Sequence, residues 1–321
     1  MTLRDRARRL HRFLLGFFAA PTSGASAALF RIVFGLLSTW TAIGVGLNLD
    51  RYWSGDGALP WAAMRHSANA HWSLVAIAPG DDRLLVGIFV LLLGASIALT
   101  VGFFSRASAA VIFIVHVSLQ NRNPYTVNGG DRLFVILALL AVLMPLARRW
   151  SVQAWWRARW GKPLAGEPTW WALRLAQLQV AYLYLSTGLV KAEHVRWWSG
   201  RAMGDVLASP VYCEWPTHLS FWPLVAFLTY FTLLFEVFAF PMLIWFQKTR
   251  RFVLWWGILF HIGIEVLMVI PMFSVIMVVT YTLFLTDEES ERIVAALTRS
   301  FRPARPGSAD VARGPSPAAA S

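Results

Sequence analysis

Cysteine and charge are what this chain has least of. One cysteine, Cys213, stands among 321 residues, so no disulfide can close within the chain and no cysteine cluster can hold a metal. Charged residues make up 14% of the sequence and 17 residues are acidic. A water-soluble domain devotes about a quarter of its residues to charge. No Walker-type phosphate loop, dinucleotide fingerprint, Gly-x-Ser-x-Gly elbow or Cys-x-x-Cys occurs, so the sequence carries no sign of nucleotide chemistry, serine hydrolysis or dithiol exchange. No repeat with a period of roughly 20–50 residues is present either.

What fills the space is hydrocarbon. Hydrophobic residues reach 57%, and the mean hydropathy is +0.54. Several apolar runs approach or exceed the ~20 residues that a helix needs to cross a bilayer. The pattern predicts an all-α fold, a polytopic transmembrane helix bundle of about eight spans at 25–47, 84–104, 107–120, 132–147, 172–190, 221–246, 253–270 and 272–286. The 17 tryptophans suit the two bilayer interfaces, where a half-apolar ring is at home. The basic N-terminus is followed by a short apolar run, 13–20, too short to span and expected to lie in the interface. Since no small-residue cleavage site closes it, it reads as a retained segment rather than a signal peptide.

The formal charge of +12 would suggest nucleic acid in a soluble protein, but here the arginines collect in short loops and at the two ends, as membrane topology requires. With both termini cytoplasmic, 19 of the 29 Lys and Arg residues fall inside and eight outside. The bias supports an even number of spans and puts segments 48–83, 121–131 and 191–220 on the outer face. The expected organisation is a basic N-terminus over 1–24, a transmembrane domain over 25–287, and a cytoplasmic, largely disordered tail over 288–321 rich in Pro, Ala, Ser and Gly.

Against this background the polar residues stand out. Lys191 lies 20 residues past Trp171, about 30 Å along a helix, at the outer boundary of the fifth span, with Glu193 and His194 just beyond. One reading is a lysine that snorkels to water. The other is an amine sheltered under apolar walls, where burial disfavours the ammonium form so that the group can act as a base. Gly188 one turn earlier would permit a close approach. The segment Asn121-Arg122-Asn123-Pro124-Tyr125-Thr126-Val127-Asn128-Gly129-Gly130-Asp131 has the composition of a turn, yet is dense enough in donors and acceptors to hold an oxygen-rich head group. Deep within spans lie Glu236, His116, and the pair His261 and Glu265, four residues apart on one helix face. Such groups default to function, with interhelical hydrogen bonding the ordinary alternative. His261 with Glu265 supplies too few ligands for a metal site, and no HExxH occurs.

These motifs together resemble the HTTM (horizontally transferred transmembrane) family, which includes the membrane part of vitamin K-dependent gamma-carboxylase. The matching features are Arg31-Ile-Val-Phe-Gly35, the turn from Trp53 to Pro60, and Asn121-Arg-Asn-Pro-Tyr followed by Asn128-Gly-Gly-Asp131. Beyond these come Tyr184…Gly188-Leu-Val-Lys191…Trp198-Ser-Gly200, the region of Glu236, and Phe260-His261…Met272-Phe-Ser-Val-Ile-Met277. In the carboxylase a lysine in a similar Gly-x-x-Lys context deprotonates vitamin K hydroquinone. The resemblance assigns that role to Lys191, with His261 on a histidine of the carboxylase pattern. Asn121-Arg122-Asn123 stands where the carboxylase carries Asn-Asn-His, and few residues follow the last span, so carboxylation of a protein glutamate is not expected.

The resulting expectation is a multi-pass cell (plasma) membrane protein, a quinol-linked enzyme with Lys191 and His261 catalytic. Asn121, Arg122, Asn123, Tyr125, Asn128, Asp131, Glu193 and His194 would bind substrate. The cofactor would be a membrane quinol that reaches the site through lipid. The alternative is a non-catalytic membrane partner in toxin or precursor-peptide maturation or export, in which Lys191 snorkels and the asparagine loop grips a peptide. Expected partners are the lipid bilayer, a hydrophobic quinone-like ligand and that peptide, with no nucleic acid.

Overall fold

The computed structural model describes residues 3–64, 72–78, 80–162, 164, 166, 168–213, 218 and 221–300. Of the tail expected to be largely disordered over 288–321, residues 288–300 are helical instead, tied down by the Glu289 and Glu291 ion pairs, and 301–321 lie outside the described residues. The described chain is helical throughout. Its long helices are α1 (Leu3–Phe18), α2 (Ala25–Leu47), α3 (Asp82–Val101), α4 (Ser105–Arg122), α5 (Gly129–Leu143), α6 (Trp171–Ala192), α7 (Trp222–Leu243), α8 (Gln247–Leu267), α9 (Phe273–Tyr281) and α10 (Asp287–Ser300). Each apolar segment singled out in the sequence is occupied by one of α2 to α9. Three of them, α2, α3 and α7, are long and apolar enough to cross a bilayer, while Phe273–Phe284 is a shorter apolar helix.

The boundaries follow local chemistry. Asp81 caps α3 by accepting from the Arg83 N–H, and Gly102, at φ 76°, ends it. Only glycine fits at that end, because a Cβ there would run into the Arg31 guanidinium. Helix α5 opens on a reciprocal cap in which Asn128 accepts from the first turn and Asp131 reaches back to the Asn128 N–H at 2.9 Å. Helix α8 begins earlier than its apolar pattern and ends at Leu267, because the residue before Pro271 is biased toward extended backbone; Met272 then turns the chain at φ 67°.

Helices α2 to α5 pack in sequence; short connections join α3 to α4 and α4 to α5, whereas residues 48–81 separate α2 from α3. Small residues let α2 and α3 close on each other: Gly35 sits against the Thr100 backbone, and Ser38 and Ser96 share a hydrogen bond of 2.7 Å. Helices α6 to α8 form the second group, and α9 touches α2, α5 and α8. Phe30, Phe34 and Phe134 fill the first group's centre, while Leu36, Trp40, Val90, Phe238 and Trp255 face outward on the bundle surface, as a hydrocarbon solvent allows.

The two ends are tied differently. At one end Asp287 accepts from Thr22 Oγ1 at 2.7 Å and from the N–H groups of Ser23 and Ser26 at 2.7 and 3.0 Å, capping α2. Glu289 pairs with Arg250 and Arg251, and Glu291 with Arg149. Burial pushes the Asp287 carboxyl up, but those hydrogen bonds outweigh it and hold the group below the ordinary carboxylate range. At the other end the loops are held largely by side-chain hydrogen bonds to backbone carbonyls, from Asn121, Arg122, Asn123 and Asn128.

Candidate functional site

Helices α6 and α7 are in tight contact at Gly188. A Cβ there would lie 2.9 Å from the Glu236 Cβ and 3.1 Å from its carbonyl carbon, so glycine is what lets the two backbones meet. Opposite it, α7 widens into a π-helical turn over Phe235–Ala239. Pro241 follows and has no N–H to offer the preceding turn, which accounts for the local departure from α geometry. The widened turn carries Glu236 inward, where its side chain is 8% exposed.

Lys191 meets it there. Lys191 Nζ donates to Glu236 Oε2 at 2.6 Å and lies 5.7 Å from the centre of the Trp197 ring. Thr187 Oγ1 donates to the same carboxylate oxygen at 3.4 Å. The lysine side chain is 29% exposed, so the pair sits at the rim of the bundle with its acid inside and its base part-open. A carboxylate buried in hydrocarbon without such a partner would be costly.

Deeper in, a second polar cluster runs across α6, α8 and α9. Tyr184 Oη is 2.7 Å from His261 Nε2 and 2.6 Å from Tyr281 Oη. His261 Nδ1 has no partner among the described residues. Tyr184 stacks on Phe240 at 3.9 Å between ring centres, and Gly257 leaves room for the Tyr281 ring.

Both clusters border one apolar cavity of about 260 Å³. Lys191, Glu236, Thr187, Tyr184 and His261 contribute its polar groups, and Leu183, Phe260, Ile264, Phe273 and Met277 are among its apolar walls. A second apolar cavity of about 200 Å³ between α7 and α8 shares Met203, Thr232, Phe260, Ile264 and Met268 with the first. It continues toward Phe227 and Leu259, both more than half exposed on the bundle surface. A ring with a polar substituent fits the first chamber, and an apolar tail fits the path from there to lipid.

Of the residues singled out in the sequence, Lys191, Glu236 and His261 border this one cavity. Asn121, Arg122, Asn123, Tyr125 and Asn128 do not border this cavity. Asn121 Nδ2 donates to the Trp72 carbonyl at 3.0 Å, Asn123 Nδ2 to Tyr52 at 2.8 Å, and Asn128 Nδ2 to Pro271 at 2.9 Å. Arg122 is fully buried, donates to the Ser54 carbonyl at 2.6 Å and lies 4.6 Å from the centre of the Trp61 ring. Tyr125 points outward at 86% exposure. Asp131 borders a separate cavity of about 620 Å³, together with His116, Gln120 and Glu265. Glu193 and His194 are exposed beyond the end of α6. Among the described residues no three His, Cys, Asp or Glu side chains cluster as metal ligands would.

Sequence reasoning identified Glu236 as a buried acid without finding its partner. A mid-span carboxylate requires a cation, but the sequence places Lys191 at the outer boundary of its span, so the pairing follows only from the packing at Gly188. Tyr184 entered only as a residue of the motif around Gly188 and Lys191, and nothing in the sequence around Tyr281 marks it as its hydrogen-bond partner.

A family model described as HTTM domain matches residues 19–288. No curated protein and no solved structure matches the chain.

Proposed function

The chain belongs to the HTTM domain family of membrane proteins, and from that premise we propose that it binds a hydrophobic quinol and takes a proton from its hydroxyl at the Lys191–Glu236 pair. The observation that carries this reading is the 2.6 Å contact between Lys191 and Glu236 on the wall of an otherwise apolar cavity that also holds Tyr184 and His261.

The proton balance is simple. The hydroxyl O–H bond breaks, its electron pair stays on the ligand oxygen, and the proton passes to the pair. Ammonium and carboxylate thereby become ammonium and carboxylic acid, and the ammonium faces the new oxyanion. Placing that charge beside a fixed cation in a water-poor site stabilises it far more than bulk water would. The base is therefore the pair rather than Lys191 alone. His261, held through Tyr184, would border the far side of the ring. The cavity is slightly smaller than the ~300–1,000 Å³ of typical ligand sites, which suits a ring whose tail stays in the neighbouring groove.

The accompanying topology is eight spans in a cell membrane with both termini cytoplasmic. It is supported by the distribution of Lys and Arg and by the contacts that gather Thr22, Arg149, Arg250, Arg251 and Asp287 at one end of the bundle. The site then opens on the outer half.

The test uses a 2-alkyl-1-naphthol, a redox-silent stand-in for a naphthoquinol, with the full chain in lipid nanodiscs. Ultraviolet absorbance distinguishes naphthol from naphtholate. The wild type should bind the probe and shift its ionisation to lower pH. Lys191→Ala and Glu236→Gln should each abolish the shift, while Lys191→Arg, whose guanidinium cannot give up its proton, tells which partner accepts it. Equal ionisation of the bound probe in the wild type, Lys191→Ala and Glu236→Gln would end the proposal.

A further inference from the structure

The cavity of about 620 Å³ that Asp131 borders lies where α2, α4 and α8 end and α5 begins, with the chain from Met268 to Met272 along one side. Its volume falls within the ~300–1,000 Å³ of typical ligand sites. His116, Gln120, Asp131 and Glu265 are among its polar groups, and the indole rings of Trp40 and Trp53 stand in the same wall.

The Lys191 cavity carries its own cation beside its carboxylate. Here the carboxylates stand without one. Neither Asp131 nor Glu265 has a Lys or Arg within ion-pair distance among the described residues. Asp131 accepts from the Asn128 N–H through Oδ2 at 2.9 Å. Glu265 is exposed two residues before the end of α8, and its neighbours Ile262, Val266 and Leu267 are exposed and apolar. A carboxylate on so apolar a surface is costly until it meets a cation.

His116 gives a second and independent sign. It is 6% exposed, and its ring lies 4.4 Å from that of Phe134. Neither ring nitrogen has a hydrogen-bond partner among the described residues. Nε2 is shut away, while Nδ1 is not, which leaves Nδ1 open to the cavity that the residue borders. With the ring proton on Nε2, Nδ1 is an acceptor for a ligand N–H. Among the described residues His116, Asp131 and Glu265 do not converge as metal ligands would, so the cation that suits this wall is larger than a metal ion and carries N–H donors. The indole rings favour a cation as well, and Trp40, more than half exposed on the bundle surface, leaves a path from lipid.

We propose that this cavity binds an aliphatic amine as its ammonium ion. The carboxylates of Glu265 and Asp131 balance the charge and accept its N–H groups, His116 Nδ1 offers a neutral acceptor on the buried side, and the hydrocarbon part lies against Trp40 and the wall from Met268 to Pro271. This inference is independent of the quinol reading: the two cavities share Met268 and Ile270 and none of their polar groups.

Thermal unfolding of the full chain in neutral detergent tests it. Hexylammonium chloride is titrated against sodium chloride at matched ionic strength, with hexan-1-ol as the uncharged control. The wild type should show saturable stabilisation by hexylammonium and none by the alcohol. Glu265→Gln, at an exposed position that leaves the fold intact, should weaken the apparent affinity on the order of tenfold. His116→Leu separates ligand binding from a structural role. It should leave the ligand-free midpoint unchanged or higher, since an unpaired imidazole is removed, and still weaken hexylammonium binding several-fold. Absence of stabilisation by hexylammonium, equal stabilisation by the alcohol, or a titration of either variant that matches the wild type would overturn the proposal.

Discussion

The stretch from Lys191 to His194 at the end of α6 and the loop from Asn121 to Asp131 look alike as sequence: each is a polar island next to a long apolar helix, and each carries a cation and a carboxylate. The structure gives them opposite characters. In the loop the side-chain donors of the asparagines and Arg122 go to backbone carbonyls of other loops, at Trp72, Tyr52, Ser54 and Pro271. Those are groups that would otherwise be left unsatisfied at a membrane boundary. At the α6 end the polar side chains pair with one another, Lys191 with Glu236 and Tyr184 with His261, and border an open cavity. A polar group that satisfies the backbone holds the fold; one that meets only another side chain at a cavity wall remains available to a ligand.

The contrast can be broken deliberately. The largest effect is expected from Gly188→Leu, which changes no charge but drives a side chain into Glu236 and Val237. Overpacking of this kind costs about 1–3 kcal/mol, and more where backbone is the obstacle. The variant should lose probe binding entirely, together with much of its thermal stability, read by fluorescence-detected unfolding. Arg122→Met probes the loop. It removes a charge-assisted hydrogen bond and the stacking on Trp61, offset in part because two guanidinium nitrogens are unpartnered. We expect a loss of about 2 kcal/mol with the ionisation of bound naphthol unchanged. A loop variant that keeps its stability but loses the ionisation shift would move the loop into the site.

The smallest effect sharpens the comparison from the far end of the molecule. The Asp287 carboxyl is held below its ordinary value by the groups it caps, so its contribution to stability is fully present above the unfolded value of about 4. It is lost as pH falls through the lower folded value. Asp287→Asn should cost about 1 kcal/mol at neutral pH and flatten the decline in the unfolding midpoint below about pH 4, with no change at the Lys191 cavity.

Much of the architecture was legible because hydrocarbon length is a strong signal. The apolar runs declared themselves in local sequence, whereas the stop at Gly102 falls inside the expected span 84–104 and the cap formed by Asn128 and Asp131 lies in a segment that reads as a turn. The π-helical turn did not declare itself, since Pro241 was read only as part of an apolar run and its effect on the previous turn depends on how α7 packs. The candidate site was half legible. Lys191 and His261 were identified, and Glu236 was noticed, but the pairing of Lys191 with Glu236 joins residues 45 apart and is set by the approach at Gly188. The loop's composition fits two uses, since the residues that bind head groups are also those that satisfy loop carbonyls, and its asparagine and Arg122 contacts go to carbonyls while Asp131 borders a separate cavity.

The central claim is that Lys191 and Glu236 act as one unit while the asparagine loop acts apart from them. Double-mutant cycles on naphthol binding test this most directly. Lys191→Ala combined with Glu236→Gln should be strongly non-additive, the double variant binding about as weakly as either single one, while Lys191→Ala combined with Asn123→Ala should be additive to within about 0.5 kcal/mol. Additivity of the first pair, or a coupling of Lys191 to Asn123 as large as its coupling to Glu236, would contradict the account.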